Sequence, residues 1–547
     1  YILRQSFSVE PNPPFYFLLL HLWRFPAGSG EFAIRYLSVL PAVAAVPLLY
    51  AIGRRLAGPW LGLPAAVLGC VNPYLVWLAQ EARMYSWALL WTVLGAYLLL
   101  RALASGDRRL WLLFGLANLL AMYTHSYAVF VVAAEAVYLL LRLPHNRPKA
   151  LPGVAASVAA GVLFLPWFVS ISTYAGESST WRGFIGVWDM LRVLGQNFAS
   201  QAHLPAAIDP WFGLLLALLA AYSVVGTRYP VVGTRYFLLL WLVLPVFVVY
   251  AISFKEPLFS PRYFIVVLPA FLLLAAAGLA ALPKQAALAG LALVSAGSVW
   301  AVERGQTVPS YAKEDYRLAA SYISQRSQPG DAIVLVANYI EYPFSYYFHG
   351  AGQLVPLDVQ PHSDLDPLLA PLASHDHIWL VEAHDVFVDP QDRVTKWLRA
   401  RYPVADEKYI IAVHFIEFDP HPTIAQLPAQ AHTAAITGGP ALAGYQAQPR
   451  DGGVLATLFW RTQPHVSRDY HLSLKLWGPN ARLAGQQDGE PLNAGLPFSK
   501  FPSQGLVRDE HFVAAAPGSY DLRLSVYLPG QPDAGQADLG QVTIGPA

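Results

Sequence analysis

The chain has 547 residues, of which 55% are hydrophobic and 13% charged, whereas a soluble domain carries about 25% charged residues. That composition excludes disorder, a coiled coil and an ordinary cytosolic enzyme. The formal net charge of +1 conceals two halves: residues 1–302 hold 19 Lys and Arg against 9 Asp and Glu, and residues 303–547 hold 17 against 26.

The chain opens at Tyr1 on Glu10-Pro-Asn-Pro-Pro, where the prolines keep a helix from starting before Pro13. Pro13–Trp23 reads as a short interfacial apolar segment. Stretches free of Asp, Glu, Lys and Arg then cover 36–53, 56–80, 84–100, 110–134, 150–176, 210–227, 236–254, 263–283 and 285–302. A spanning helix needs roughly 20 mostly apolar residues. The 110–141 stretch is broken at Thr124-His125-Ser126 and reads as two helices, the second carrying Glu135. Ten spanning helices are therefore expected.

Basic residues set the orientation. Alternate loops collect Arg54, Arg55, Arg101, Arg108, Arg109, Arg142, Arg147, Lys149, Arg228, Arg235 and Lys284 against one acid, Asp107. That side is expected to be cytoplasmic. The 80–84 turn, His125, the 173–209 and 254–262 loops and everything after 302 then face outward. This topology calls for one further helix ahead of Tyr1. The tandem hexapeptides Val224–Tyr229 and Val231–Tyr236 read as a local duplication without catalytic meaning.

After an exit linker at 303–310, helices near 313–326, 341–348 and 391–401 alternate with strands at 332–336, 378–381 and 408–416. Such alternation predicts a small α/β domain with a parallel sheet over 303–420. Its sequence carries no Gly-rich phosphate motif, so a nucleotide site is not expected. Beyond Pro420, alternating runs at 454–460, 470–476, 510–514 and 519–527 predict an antiparallel β-sandwich over 421–547. This module either binds carbohydrate or caps the protein. The single Cys, Cys70, excludes a disulfide framework and a cysteine-based zinc site.

Polar groups at the outward helix ends are the candidates for chemistry, because ionisable residues near a membrane are costly. Four clusters qualify: Glu10 with Asn12, Gln80-Glu81-Ala82-Arg83-Met84-Tyr85, Tyr123-Thr124-His125-Ser126-Tyr127, and Lys255-Glu256 with Pro261-Arg262-Tyr263. The plainer readings are a proline-stiffened loop, a solvated turn with an ion pair, a satisfied structural His and an interfacial Arg anchor. An Arg fork suits phosphate, and a carboxylate suits proton transfer.

Taken in order, "NPPFYFLLLHLW", "EFAIRYLSVLPAVAAVPLLYAIGRRL", "QEARMYS", "YTHSYAVF" and "SPRYFIVVLPAFLLLAAAGL" resemble the bacterial GT-C membrane glycosyltransferases. The likeness is greatest to the family-39-like group, related to protein O-mannosyltransferases and to the aminoarabinose transferase of lipid A. It covers about residues 1–330. The resemblance implies a multi-pass α-helical membrane domain of GT-C type over 1–302, followed by the α/β and β-sandwich domains.

It further implies hexosyl or pentosyl transfer from a polyprenyl-phosphate sugar donor to a protein, lipid or glycan acceptor. The reaction would lie on the outer face of the bacterial cytoplasmic membrane, with the C-terminal domains extracytoplasmic. The lipid bilayer is a partner and nucleic acid is not. A divalent metal is a variable companion in the family, and no metal ligands are assigned. The principal loop carboxylate of such enzymes would precede Tyr1, making this an N-terminally truncated member. Glu81 and Glu10 are the remaining catalytic candidates, Glu81 for acceptor binding or a secondary acid/base role. Substrate binding falls to Asn12, Arg83, Tyr85, His125, Arg262 and Tyr263, with Arg262 favoured for the lipid phosphate; Pro13 and Pro14 belong to the entry loop. The competing readings are a lipid-linked sugar transporter or flippase, and a membrane-anchored carbohydrate-binding protein. No inverted repeat of the transporter kind is visible.

Overall fold

A computed structural model of the chain describes residues 12–172, 183–225, 232–360, 362–450, 452–494 and 496–545. It divides into two compact units, Tyr1–Tyr311 and Ala312–Ala547.

The first unit is a helical bundle. Helix α1 (Phe15–Ala27) starts directly after buried Pro13 and Pro14, and its Trp23 Nε1 donates to Ala33 O at 2.8 Å. Helix α2 (Glu31–Ala57) ends at Gly58, whose φ of +78° is open to glycine at little cost, and α3 (Pro59–Val71) begins at the next residue. These two helices approach closely through Gly53 and Gly62, where an added Cβ at Gly53 would lie 2.8 Å from Gly62 Cα. Small residues at such crossings are a membrane-helix device.

The apolar 56–80 stretch is not one straight helix. It breaks at Asn72-Pro73 into α3 and α4 (Pro73–Ala79), bent by 51°. Proline removes a backbone donor and disfavours a helical preceding residue. Asn72 repairs the break by accepting from Leu75 N at 2.9 Å and donating to Phe198 O at 2.7 Å.

Helices α5 (Tyr85–Ser105), α6 (Arg108–Thr124) and α7 (Ala128–Ser172) follow, the last kinked at Asn146 between two prolines. Within the expected outward loop lies α8 (Val187–Ser200), which buries Met190, Leu194 and Phe198 at four-residue spacing. Then come α9 (Asp209–Val225), α10 (Val232–Ser253), a 3₁₀ turn at Pro261–Val267, α11 (Leu268–Ala281) and α12 (Lys284–Thr307). The span from Pro261 to Ala281 is 94% buried over its most apolar window and forms the bundle's centre.

Among the described residues, six helices are long and apolar enough to cross a membrane, or seven with the bent α3–α4 pair as one span, against the ten expected, because α6 and α9 are short and α7 runs on through its kink as one helix. Helices α6 and α9 have 17 residues each, at the short end of the spanning range. The molecule is a multi-pass membrane protein.

The second unit begins with α13 (Tyr316–Arg326), capped by Asp315, whose Oδ1 accepts from Leu318 N at 3.0 Å. A five-stranded sheet follows from β1 (Ala332–Leu335), β2 (Gln353–Pro356), β3 (Ile378–Glu382), β4 (Val404–Ile410) and β5 (Val413–Phe418), in the order β2-β1-β3-β5-β4. Period-2 alternation sends Ile333, Leu335, Trp379 and Phe415 to one core and Val334, Leu380, Ile416 and Phe418 to the other.

Two expectations need correction here. The sheet is mixed, because β5 pairs antiparallel with β3 and β4, while only β1 pairs in parallel with β2 and β3. The run expected as one strand at 408–416 is a hairpin turning at Ile411 and Ala412, both at positive φ. Apolar residues on both arms mask that turn in the sequence.

The rest forms two antiparallel sheets: β11-β10-β13-β14 and β6-β12-β9-β8-β7. Their strands are β6 (Thr423–Ile424), β7 (His432–Thr433), β8 (Leu442–Arg450), β9 (Gly453–Arg461), β10 (His471–Gly478), β11 (Arg482–Gly489), β12 (Leu506–Ala514), β13 (Gly518–Tyr527) and β14 (Asp533–Ile544). Leu458 and Trp460 of one sheet share a core with Leu474, Leu524 and Leu539 of the other. That is a β-sandwich.

Candidate functional site

Three helix junctions meet at one end of the bundle. They are the 80–84 turn between α4 and α5, the 125–127 turn between α6 and α7, and the segment from Phe254 to Arg262 after α10. Two tyrosines bind the third junction to the others. Tyr74 Oη donates to Pro261 O at 2.6 Å, and Tyr127 Oη donates to Leu258 O at 2.5 Å. Both carbonyls lie in proline-flanked backbone, where helix geometry leaves acceptors free. Gln306, at the end of α12, donates to Gln80 Oε1 at 3.2 Å and joins the same end.

At the centre stands an aromatic cage. The His125 ring lies 5.8 Å from Tyr85, 5.6 Å from Tyr127 and 5.1 Å from Tyr263, and Tyr127 lies 5.0 Å from Tyr263. His125 is buried; its Nδ1 accepts from Tyr127 N at 3.1 Å, while its Nε2 has no hydrogen-bond partner among the described residues. Arg262 lies in the first turn of the 3₁₀ segment, is exposed, and has the Tyr85 side chain and the Glu81 carboxylate in electrostatic reach.

Glu81, Tyr85, His125, Arg262 and Tyr263 are thus brought together from three junctions. Arg83 is exposed and within electrostatic reach of Tyr85 and Tyr16. Its carbonyl accepts from Ser38 Oγ at 3.0 Å, which ties the turn to α2. Asn12 is half-buried on the segment leading into α1. Glu10 lies outside the described residues.

Chemically, the arrangement offers a carboxylate, a guanidinium beside a phenol, and a surface of aromatic rings. A guanidinium so placed keeps further donors for an oxyanion, and apolar surroundings strengthen that attraction. The basic residues of the opposite helix ends, Arg54, Arg55, Arg101, Arg108, Arg109 and Lys284, leave this end free of their competition.

Sequence reasoning missed Tyr74 and Tyr127 as the clamps of the Arg262 segment. Asn72-Pro73 signals the start of a short helix and was the available cue for Tyr74. Deeper in the bundle, fully buried Glu135 accepts from Asn118 Nδ2 at 2.7 Å, beside Gly95. An added Cβ at Gly95 would meet Asn118 Oδ1 at 2.6 Å, so this glycine makes room for the polar pair.

Residues 11–170 match the family described as dolichyl-phosphate-mannose-protein mannosyltransferase. The solved structure of ArnT from Cupriavidus metallidurans in the apo state is 14% identical, with a TM-score of 0.50, over 75% of this chain and 87% of that one. The chain has the GT-C glycosyltransferase fold. ArnT from the same organism bound to undecaprenyl phosphate gives 14% identity, a TM-score of 0.49, and coverage of 76% and 89%. The Archaeoglobus fulgidus oligosaccharyltransferase in complex with Zn and sulfate gives 11%, 0.42, and 98% and 90%. No curated protein sequence matches the chain. The GT-C resemblance read from the five motifs is borne out by the family match and the fold, which together support a membrane glycosyltransferase.

Proposed function

We propose that this GT-C protein transfers a sugar from a polyprenyl-phosphate-linked donor to an acceptor on the outer face of the cytoplasmic membrane. The observation that carries this reading is the meeting of Glu81, Tyr85 and Arg262 at the bundle end opposite the basic loops. The positive-inside bias assigns the basic end to the cytoplasm, so the site would face out. On the same reading the second unit, with its −9 charge balance from residue 303 onward, is extracytoplasmic. Its division near residue 420 into α/β and β-sandwich domains is part of this proposal.

In this account Arg262 holds the lipid phosphate, where negative charge develops as the sugar leaves. Preorganised positive charge at a leaving group is the largest single contribution such a site makes. Tyr85 lies beside the guanidinium. Glu81 binds the acceptor hydroxyl or accepts its proton, which requires hydrogen-bond reach to the acceptor. The rings of His125 and Tyr263 pack beside Tyr85 and form one side of the site. Glu10 stays a second catalytic candidate and Asn12 a substrate-binding one. The description of the matched family, with its dolichyl-phosphate donor, supports a lipid-phosphate sugar as substrate.

The test is reconstitution of the full chain into liposomes with a labelled polyprenyl-phosphate sugar and candidate peptide, lipid and glycan acceptors. Labelled acceptor and free lipid phosphate are the expected products. Label that changes leaflet with the donor intact would instead show a transporter.

A further inference from the structure

The second unit buries a polar cluster that the transfer reaction does not use. His377 lies just before β3, Glu417 on β5 and Glu510 on β12, so the mixed sheet supplies two members and the sandwich the third. Each offers one donor atom, and these three atoms lie within 4.8 Å of one another. His377 Nδ1 is 3.9 Å from Glu417 Oε1. Glu417 and Glu510 also line a cavity of about 160 Å³, which gives the cluster an entry path.

Two further carboxylates surround it. Asp331 Oδ1 stands 3.3 Å from His377 Nδ1, and Asp419 Oδ2 stands 3.8 Å from His377 Nε2. Asp419 is fully buried, and its Oδ2 has no hydrogen-bond partner among the described residues although it is aimed at the His377 ring. Glu417 is only 8% exposed and likewise shows no hydrogen bond to its carboxylate among the described residues. By contrast, the others are anchored. Gln328 Nε2 donates to both Glu510 oxygens at 3.2 and 3.3 Å, and Thr457 Oγ1 donates to Oε1 at 3.2 Å. Asp331 Oδ2 accepts from Gln328 N at 2.7 Å and from Trp379 Nε1 at 3.3 Å.

Asp331, Glu417, Asp419 and Glu510 face Arg508, whose Nη2 donates to Asp419 Oδ1 at 3.0 Å, the His377 imidazole, and Arg326, which lies in electrostatic reach of Glu417 and lines the cavity with Lys408. Buried charges are paired or coordinate metals, because isolated ones are too costly. One dication would give the Glu417 carboxylate and Asp419 Oδ2 the close partner that neither has among the described residues.

The geometry points to a divalent-cation site formed by His377, Glu417 and Glu510, with Asp419 as a further ligand, that staples the mixed sheet to the β-sandwich. An imidazole among carboxylates, with no thiolate, suits zinc or manganese over calcium or magnesium. Zinc takes nitrogen and oxygen donors at about 2.0–2.2 Å, which places tetrahedral donors roughly 3.4 Å apart. The cluster reaches that spacing by contracting about an ångström. Asp331, hydrogen-bonded to the imidazole, then has the orienting role that a carboxylate commonly plays behind a metal-bound His.

The full chain, purified in detergent, is equilibrated with Zn²⁺ or Mn²⁺, desalted, and its metal content measured beside His377→Asn and Glu417→Gln. The wild type is expected to retain about one ion per chain more than either variant. Its thermal midpoint is expected to fall by at least ~2–4 °C on chelation, the scale of a bound ion in a domain this size. Glu417→Gln is expected to ignore the chelator. If a variant fails to fold, the chelator and readdition series on the wild type decides alone. Equal metal content in wild type and variants, or a midpoint indifferent to both chelator and metal, would overturn the proposal.

Discussion

Arg262→Ala is expected to lower the rate of sugar transfer by about 10²–10³-fold, the usual loss when one preorganised charge donor is removed from a transition state. The chain should still fold, because the Arg262 side chain is exposed and packs no core. Arg262→Lys keeps the charge but loses the planar fork, so an intermediate loss of ~10-fold is expected. Initial rates from a polyprenyl-phosphate sugar in liposomes give the comparison. A wild-type rate for Arg262→Ala would mean that the lipid phosphate is held elsewhere.

The second large effect is on stability. An added Cβ at Gly278, in the central helix α11, would lie 1.9 Å from Leu219 O and 2.6 Å from Leu219 C on α9. Both are backbone atoms, so no side chain can swing away and the helices must separate. Gly278→Ala is expected to cost about 1–3 kcal/mol by overpacking, and Gly278→Leu to prevent assembly. Gly161 on α7 provides the control, since its added Cβ meets nothing within 4 Å. There, alanine is expected to be neutral or to stabilise by up to about 1 kcal/mol through helix propensity. Thermal unfolding in detergent measures both. A Gly278→Ala midpoint equal to that of Gly161→Ala would show that the α9–α11 contact is looser than described.

Much of the bundle was legible because lipid-spanning helices must be long, apolar and uncharged, and those properties are local. The break at Asn72-Pro73 was written in the sequence too, yet hydropathy alone runs through it. Helix α8 escaped notice because its 14 residues are too few for a span and Asp189 and Arg192 interrupt its apolar pattern. Strand β14 was missed for a different reason: its first inward residues are the small Gly535 and Ala537, and the alternation slips between Leu539 and Val542. The mixed sheet could not be told from a parallel one, since burial on both faces erases the polar alternation that marks an exposed strand.

The candidate site was half legible. Each motif could be placed at an outward helix end, but the pairing of Tyr85 with Arg262 joins positions far apart in the chain. So does the cluster of His377, Glu417 and Glu510, where no short motif exists to read. Tertiary packing alone brings such residues together.

The central claim is that the lipid phosphate binds where Glu81, Tyr85 and Arg262 meet. Its most direct test is photocrosslinking of the full chain with a polyprenyl phosphate carrying a photoreactive group near the phosphate, followed by peptide mapping. Label is expected on residues 80–85, 123–127 and 255–263. Label confined to the opposite helix ends, around Arg54, Arg101–Arg109 or Arg142–Lys149, would contradict the account.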